Sequence, residues 1–344
     1  MRFGATILDA EGLRLTAEEV ALFRDTNPFG FILFGRNVKT PDQIRALCGD
    51  FRDAVGRDCP ITIDQEGGRV QRLRPPLARQ WLSPLAHVER ATASVVAGKV
   101  GPNPVARSMY LRYRLIAHEL HALGIDSNCA PMVDLADDDT HAFLKNRCYG
   151  GNAHRVAELG RAVAQGLLDG GVLPVLKHLP GHGRATTDSH LDLPHVDADA
   201  AVLEHTDFAA FRSLNDLPMG MTAHLVFDAI DSAPATTSPV MMRLIRDQIG
   251  FDGLIMTDDI SMKALSGSPA ELTRAALDAG CDVILHCNGT LAERAETAVA
   301  AGEMTDAAQI RADRALAARC APDELDIQAA EDELSALMGG LVYG

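Results

Sequence analysis

Short runs of β-branched and aliphatic residues alternate with longer segments of helical periodicity eight times along the chain, and nothing else in the sequence constrains the fold as strongly. The predicted strands are 3–8, 30–34, 60–64, 125–130, 172–177, 218–223, 253–257 and 282–286. Helical segments separate them. The stretch 40–55 follows a Thr-Pro start, 107–123 carries Leu111, Leu115, Ile116, Leu120 and Leu123 on one face before Gly124 stops it, and 152–169 ends at Gly170-Gly171. Several strands are apolar on both faces, as buried parallel strands are. Eight strand-then-helix units predict an α/β fold of the closed (β/α)8 TIM-barrel type rather than an open doubly wound sheet. The turn after the first strand, Leu8-Asp9-Ala10-Glu11-Gly12, lacks the G-x-G-x-x-G fingerprint, which argues against a dinucleotide site.

At 344 residues the chain is long enough for two average domains, yet barrels often run past about 200 residues as one unit. No linker or low-complexity stretch interrupts the pattern. The expected organisation is therefore a catalytic barrel over 1–300, with extra C-terminal helices near 305–318 and 324–338 packed on it within the same domain, 301–344.

In such a barrel the chemistry gathers where strands end, because the βα loops converge there. Polar residues fall at those places. Asp64-Gln65-Glu66-Gly67-Gly68-Arg69 follows the third strand, Asn146-Arg147 lies in the loop after the fourth, and Lys177-His178 ends the fifth. His224 ends the sixth, Asp258-Asp259 the seventh and His286-Cys287-Asn288 the eighth. One such residue would pass as a helix cap; six ends together predict a site. Successive side chains at a strand end point to opposite sides, so only one of Asp258 and Asp259 can face the barrel mouth, and periodicity alone does not choose between them.

The fifth loop carries the most specific signal. Lys177-His178-Leu179-Pro180-Gly181-His182-Gly183, four further residues, then Asp188-Ser189-His190 and Leu193-Pro194 resembles the loop motif of the β-N-acetylhexosaminidases of glycoside hydrolase family 3, the bacterial single-domain type. The likeness extends to Phe34-Gly35-Arg36-Asn37, to 64–69, to the Gly-Ile-Asp and Ala-Pro elements within 124–131, and to Asp258-Asp259, and so spans about the first 300 residues. Leu179 departs from the usual Phe, and Cys148-Tyr149 stands where Ser-Phe is commoner. The resemblance implies a glycosidase acting on peptidoglycan-turnover fragments such as N-acetylglucosaminyl-anhydro-muramoyl peptides. It implies that Asp258 is the nucleophile, that His190 is the acid/base supported by Asp188, and that Asp64, Arg72, Arg147, Lys177 and His178 contact the sugar.

That chemistry suits those residue types. Retaining glycoside cleavage needs an anion beneath the anomeric carbon and a proton donor to the leaving oxygen. A histidine near its ordinary pKa exchanges protons at neutral pH, and a neighbouring carboxylate orients its ring. Pro180, Gly181 and Gly183 favour an irregular, mobile loop that closes on the sugar. Arg and Lys donate to hydroxyls and offset the clustered carboxylates, which would otherwise raise one another's pKa values. His182, His224 and Asn288 are expected behind the contacting residues, and His118, His121 and His205 elsewhere on the fold.

No cofactor and no metal is expected. A metal-dependent hydrolase could be imagined from His178, His182, His190, His224 and Asp258, but Pro180 and Gly181 break the helix that would align His178 with His182, and the first strand lacks an H-x-H pair. Phosphorolysis at the same site is the other rival, because a histidine acid/base would not repel incoming phosphate. Lysine and arginine total 32 against 47 aspartates and glutamates, a net charge of −15 that disfavours nucleic acid and anionic membranes as partners. No run of about 18 apolar residues and no secretory signal is read, so a cytoplasmic location is expected. The seven cysteines are scattered without a C-x-x-C pair and are read as thiols.

Overall fold

The computed structural model describes residues 2–96, 103–187 and 192–344. Eight parallel strands form one sheet: β1 (Gly4–Leu8), β2 (Pro28–Leu33), β3 (Ile61–Ile63), β4 (Ser127–Asn128), β5 (Leu173–Leu179), β6 (Met219–Thr222), β7 (Leu254–Met256) and β8 (Ile284–His286). Pairing runs β7-β6-β5-β4-β3-β2-β1-β8, with Ile7 of β1 opposite Leu285 of β8. The remaining seam is closed by a parallel bridge between Met256 and Val283 and by Thr257 N–H donating to the Val283 carbonyl at 3.0 Å. The expected TIM barrel is the observed one.

Helices cover the outside, and several begin on a residue whose side chain satisfies a free N–H group. Thr16 and Glu19 form a capping box for Ala17–Thr26, Thr40 caps Pro41–Val55, and Asn152 caps Ala153–Leu168. Leu111, Leu115, Ile116, Leu120 and Leu123 are all buried under the helix Pro104–His121. C-terminal helices Asp306–Ala317 and Ile327–Leu337 start on Thr305 and Asp326, whose side chains accept the N3 amides. Ala308, Ala312 and Ala315 pack into the barrel's inner cluster, whereas Leu334 and Leu337 join the outer core.

Alternation fills the barrel interior along most strands, with β2 the exception, where Phe29 and Ile32 both face inward. Ala5 and Ile7 of β1, Leu173 and Val175 of β5, Met219 and Met221 of β6, Leu254 and Met256 of β7, and Val283 and Leu285 of β8 form one inner cluster, and Leu8, Leu176, Ile255 and Ile284 face outward. Most strand ends shift by one or two residues from expectation, and three strands change in ways that bear on the site. β4 keeps two paired residues rather than six; past it the chain stays bonded to β5 through Val175 N–H to the Ala130 carbonyl at 2.9 Å, Lys177 N–H to the Pro131 carbonyl at 3.0 Å and Met132 opposite Lys177, with Pro131 itself offering no N–H. β2 starts two residues early at Pro28, and β5 runs on to Leu179, so Lys177 and His178 lie inside the strand. A short antiparallel hairpin, Gln65–Gly67 with Val70–Gln71, and a two-residue parallel pair, His195–Val196 with Val226–Phe227, were not anticipated. Among the described residues no helix is long and apolar enough to cross a membrane. Six cysteines are buried and Cys320 is exposed, all as free thiols.

Candidate active site

Following the inner rows to the C-terminal ends of the strands gives the site directly. The row 62–64 on β3 ends in Asp64, the row 173–175–177 on β5 ends in Lys177, and the row 254–256–258 on β7 ends in Asp258. Asp258 continues the inner row of β7, and Asp259 lines the cavity beside it. These residues line a cavity of about 450 Å3 together with Phe34, Arg72, Arg147 and His178. That volume lies within the range of roughly 300–1,000 Å3 usual for small-molecule sites.

The polar groups form a chain of alternating charge. Arg72 donates to Asp64 at 2.8 Å, and Lys177 Nζ bridges Asp64 at 3.0 Å and Glu66 at 2.7 Å. Arg147 grips Glu66 through Nε and Nη2 at 2.9 and 2.7 Å. The Arg72 guanidinium also lies over the Phe34 ring, 5.2 Å from its centroid. Burial would raise the Asp64 and Glu66 carboxyls, but the adjacent cations prevail: Lys177 and Arg72 hold Asp64 far below the usual range, and Arg147 and Lys177 hold Glu66 at about 2.

Asp258 is treated the same way by different neighbours. Burial pushes its carboxyl up, yet His178, His224 and the Asp259 N–H, which donates at 2.8 Å, bring it below the ordinary value, so it is a carboxylate at neutral pH. Asp259 spends its own oxygens on the loops: it accepts from Ser261 N–H and O–H at 3.0 and 2.7 Å, from Cys287 N–H at 3.2 Å and from Asn288 Nδ2 at 3.1 Å. His224 lies beneath, its Nε2 donating to the Asp259 carbonyl at 3.0 Å and its Nδ1 paired with Thr236 Oγ1 at 2.7 Å. A bare carbonyl requires the proton on Nε2, and the Thr236 hydroxyl that meets Nδ1 also donates to the Ala223 carbonyl at 3.1 Å.

His178 meets Asp134 through Nδ1 at 2.7 Å, and the rings of His178 and His182 stand edge to face at 5.6 Å. Burial, then His178, pushes His182 down to about 4. Asn288 lines the cavity and donates its N–H to Asp9, while Arg36 reaches both Asn288 and Asp9. Asp64, Arg72, Arg147, Lys177, His178 and Asp258 are therefore brought together; Asp188 and His190 lie outside the described residues. His118, His121 and His205 are exposed on helices, away from the cavity. Sequence reasoning missed the structural weight of Glu66 and Asp134. Glu66 stood in the segment 64–69 after the third strand without a role of its own, and Asp134 lies four residues past the expected end of the fourth. Among the described residues no group of three or more His, Cys, Asp and Glu is arranged to hold a metal.

A closed parallel barrel with ionised carboxylates and fixed cations ringing a small polar cavity at its strand ends has the form of a barrel-enzyme site for a small polar ligand. Comparison with known proteins narrows that class. The glycosyl hydrolase family 3 N-terminal domain model matches residues 6–317. A beta-hexosaminidase of Alkalilimnicola ehrlichii is 36% identical over 296 residues, covering 84% of this chain and 82% of its own, and one of Pseudomonas aeruginosa is 35% identical over 302 residues, covering 87% and 86%. Native NagZ from Neisseria gonorrhoeae superposes with a TM-score of 0.79 at 29% identity over 98% of both chains. The same protein in complex with N-trifluoroacetyl-D-glucosamine gives 0.78 at 28%, over 98% of this chain and 99% of that one. The chain belongs to glycosyl hydrolase family 3 and is a glycoside hydrolase of the β-N-acetylhexosaminidase type.

Proposed function

We propose that the protein is a retaining exo-β-N-acetylglucosaminidase that removes terminal β-linked N-acetylglucosamine from fragments of cell-wall turnover, including N-acetylglucosaminyl-anhydro-muramoyl peptides, in the cytoplasm. The observation that carries the reading is Asp258: the inner row of β7 delivers to the cavity a carboxylate kept ionised by His178, His224 and a backbone N–H. In this account Asp258 attacks the anomeric carbon and forms a glycosyl ester while His190, oriented by Asp188, protonates the leaving oxygen. His190 then takes the proton of the water that breaks the ester, regenerating both groups. Arg72, Arg147, Lys177, His178 and Asp64 hold the hydroxyls and the N-acetyl group, with Asp64 as the acceptor and the cations as donors. Catalysis belongs to the barrel, 1–300, and the helices of 301–344 cover it as part of the same domain.

The N-trifluoroacetyl-D-glucosamine bound by the Neisseria protein, and a glycoside hydrolase family 3 β-N-acetylglucosaminidase from Paenibacillus sp. str. FPU-7 with a TM-score of 0.79 at 28% identity, covering 96% of this chain and 61% of that one, support the choice of sugar. The test is covalent. A slow fluorinated glycosyl donor traps the ester, and peptide mapping is expected to find the label on Asp258; a label on Asp64, Glu66 or Asp259 overturns the assignment.

A further inference from the structure

Asp134 is fully buried and makes three hydrogen bonds with its two oxygens: Oδ2 meets His178 Nδ1 at 2.7 Å, and Oδ1 accepts the backbone N–H groups of His178 at 3.3 Å and His182 at 2.7 Å. Those contacts span the end of β5 and the start of the loop that continues towards residue 188. His178 lines the cavity, and with Nδ1 turned to Asp134 the nitrogen it presents to a ligand is Nε2.

We propose that Asp134 is a positioning residue that acts through His178, fixing its ring and keeping the proton on Nδ1 so that Nε2 meets a sugar hydroxyl in one defined orientation. The inference rests on the reading that the cavity takes a sugar, and it adds a residue to the site that no strand-end or motif argument supplied. A carboxylate can only accept, so a short contact to Nδ1 requires a proton there. The same carboxylate anchors the His182 N–H, so the ring of His178 and the root of the loop share one support.

Substitution by asparagine inverts the arrangement in a way the geometry dictates. Two backbone donors already point at the Oδ1 position, so the amide oxygen of Asp134→Asn must occupy it. The amide NH2 then faces Nδ1, which has to be bare to accept, and the ring proton moves to Nε2. Shape is kept and the tautomer is reversed.

The experiment is a double-mutant cycle of Asp134→Asn and His178→Ala, read as kcat/KM on 4-nitrophenyl N-acetyl-β-glucosaminide. Asp134→Asn alone is expected to lose about 10- to 100-fold, the usual loss when an orienting partner is removed. On the His178→Ala background it is expected to lose less than about 3-fold, because the ring it orients is gone. An equal loss on both backgrounds overturns the inference. A second measurement needs no variant: 15N-histidine spectra of the unmodified protein are expected to show His178 Nδ1 protonated across the active pH range, and a bare Nδ1 overturns it equally. Failure of the unmodified protein to hydrolyse the substrate would instead count against the functional reading, and so the two are told apart.

Discussion

Glu66 joins more of the site than any carboxylate that touches the cavity. It is buried, bonds Arg147 twice and Lys177 once, and its own carbonyl is held by Arg112 Nη2 at 2.6 Å and by the Tyr113 hydroxyl at 3.3 Å. Removing one partner of a buried ion cluster leaves the others charged without compensation, which typically costs about 3–5 kcal/mol. Glu66→Gln keeps the volume but leaves Lys177 and Arg147 with one fewer anion between them. The variant is expected to unfold at a clearly lower temperature and to bind sugar more weakly; a stability change below about 1 kcal/mol would show that the two cations are held by other means. At this scale the sequence was readable wherever a charged residue terminated an inner strand row, as Asp64, Lys177 and Asp258 do. It was unreadable for Glu66 and Asp134, since their side-chain directions are set after the strand has ended, by a hairpin in one case and by the Ala130-Pro131 stretch in the other.

Among the elements, the hairpin Gln65–Gly67 with Val70–Gln71 is what turns Glu66 towards the barrel. Its two strands hold three and two residues, too few for any alternation to be seen in the sequence, where Gly67-Gly68 instead registered as part of a motif. Gly67 has φ +107°, and a Cβ there would stand 2.0 Å from Arg112 Nη2 and 2.5 Å from the Leu82 carbonyl. Arg112 can bond the Glu66 and Leu82 carbonyls together only because nothing occupies that space. Gly67→Ala therefore meets both a disfavoured backbone region and a blocked guanidinium, and a loss of roughly 2 kcal/mol or more is expected. Chemical denaturation should show it as a lower midpoint at unchanged slope, and kcat/KM should fall with it; a midpoint within error of the parent would mean that the hairpin can shift without cost. The long helices behaved differently. Their starts at Thr40, Asn152 and Thr305 were readable because a cap is a local event, whereas the last helix was placed two residues early at 324 and β4 shrank because its pairing depends on a distant strand.

For the whole molecule, two electrostatic effects oppose each other as the pH falls. The net charge of −15 means that acidification relieves general repulsion and on that account would stabilise the fold. Buried histidines act the other way. Burial lowers His87, with Arg112 adding to it; burial and His178 bring His182 to about 4; and burial lowers His224 despite the pull of Asp258. In the unfolded chain each titrates near about 6.5, so below that pH the unfolded state takes up protons that the native state refuses, and stability falls by up to about 1.4 kcal/mol per pH unit for each histidine. Glu66 continues the trend further down: its depressed pKa gives stability that is present above about 4.3, the unfolded value, and is lost as the pH falls through about 2. Surface repulsion is screened within about 8 Å at 0.15 M salt, whereas the buried imidazoles are shielded from ions, so the histidines win at physiological ionic strength. The melting temperature at 0.15 M salt is expected to be level above pH 6.5 and to drop between pH 6.5 and 4. His87→Asn is expected to make that drop shallower, since it takes one buried proton site out of the linkage. A melting temperature that rises from pH 6.5 to 5 at 0.15 M salt would show that relief of the general repulsion outweighs the buried imidazoles, against the ordering argued from screening.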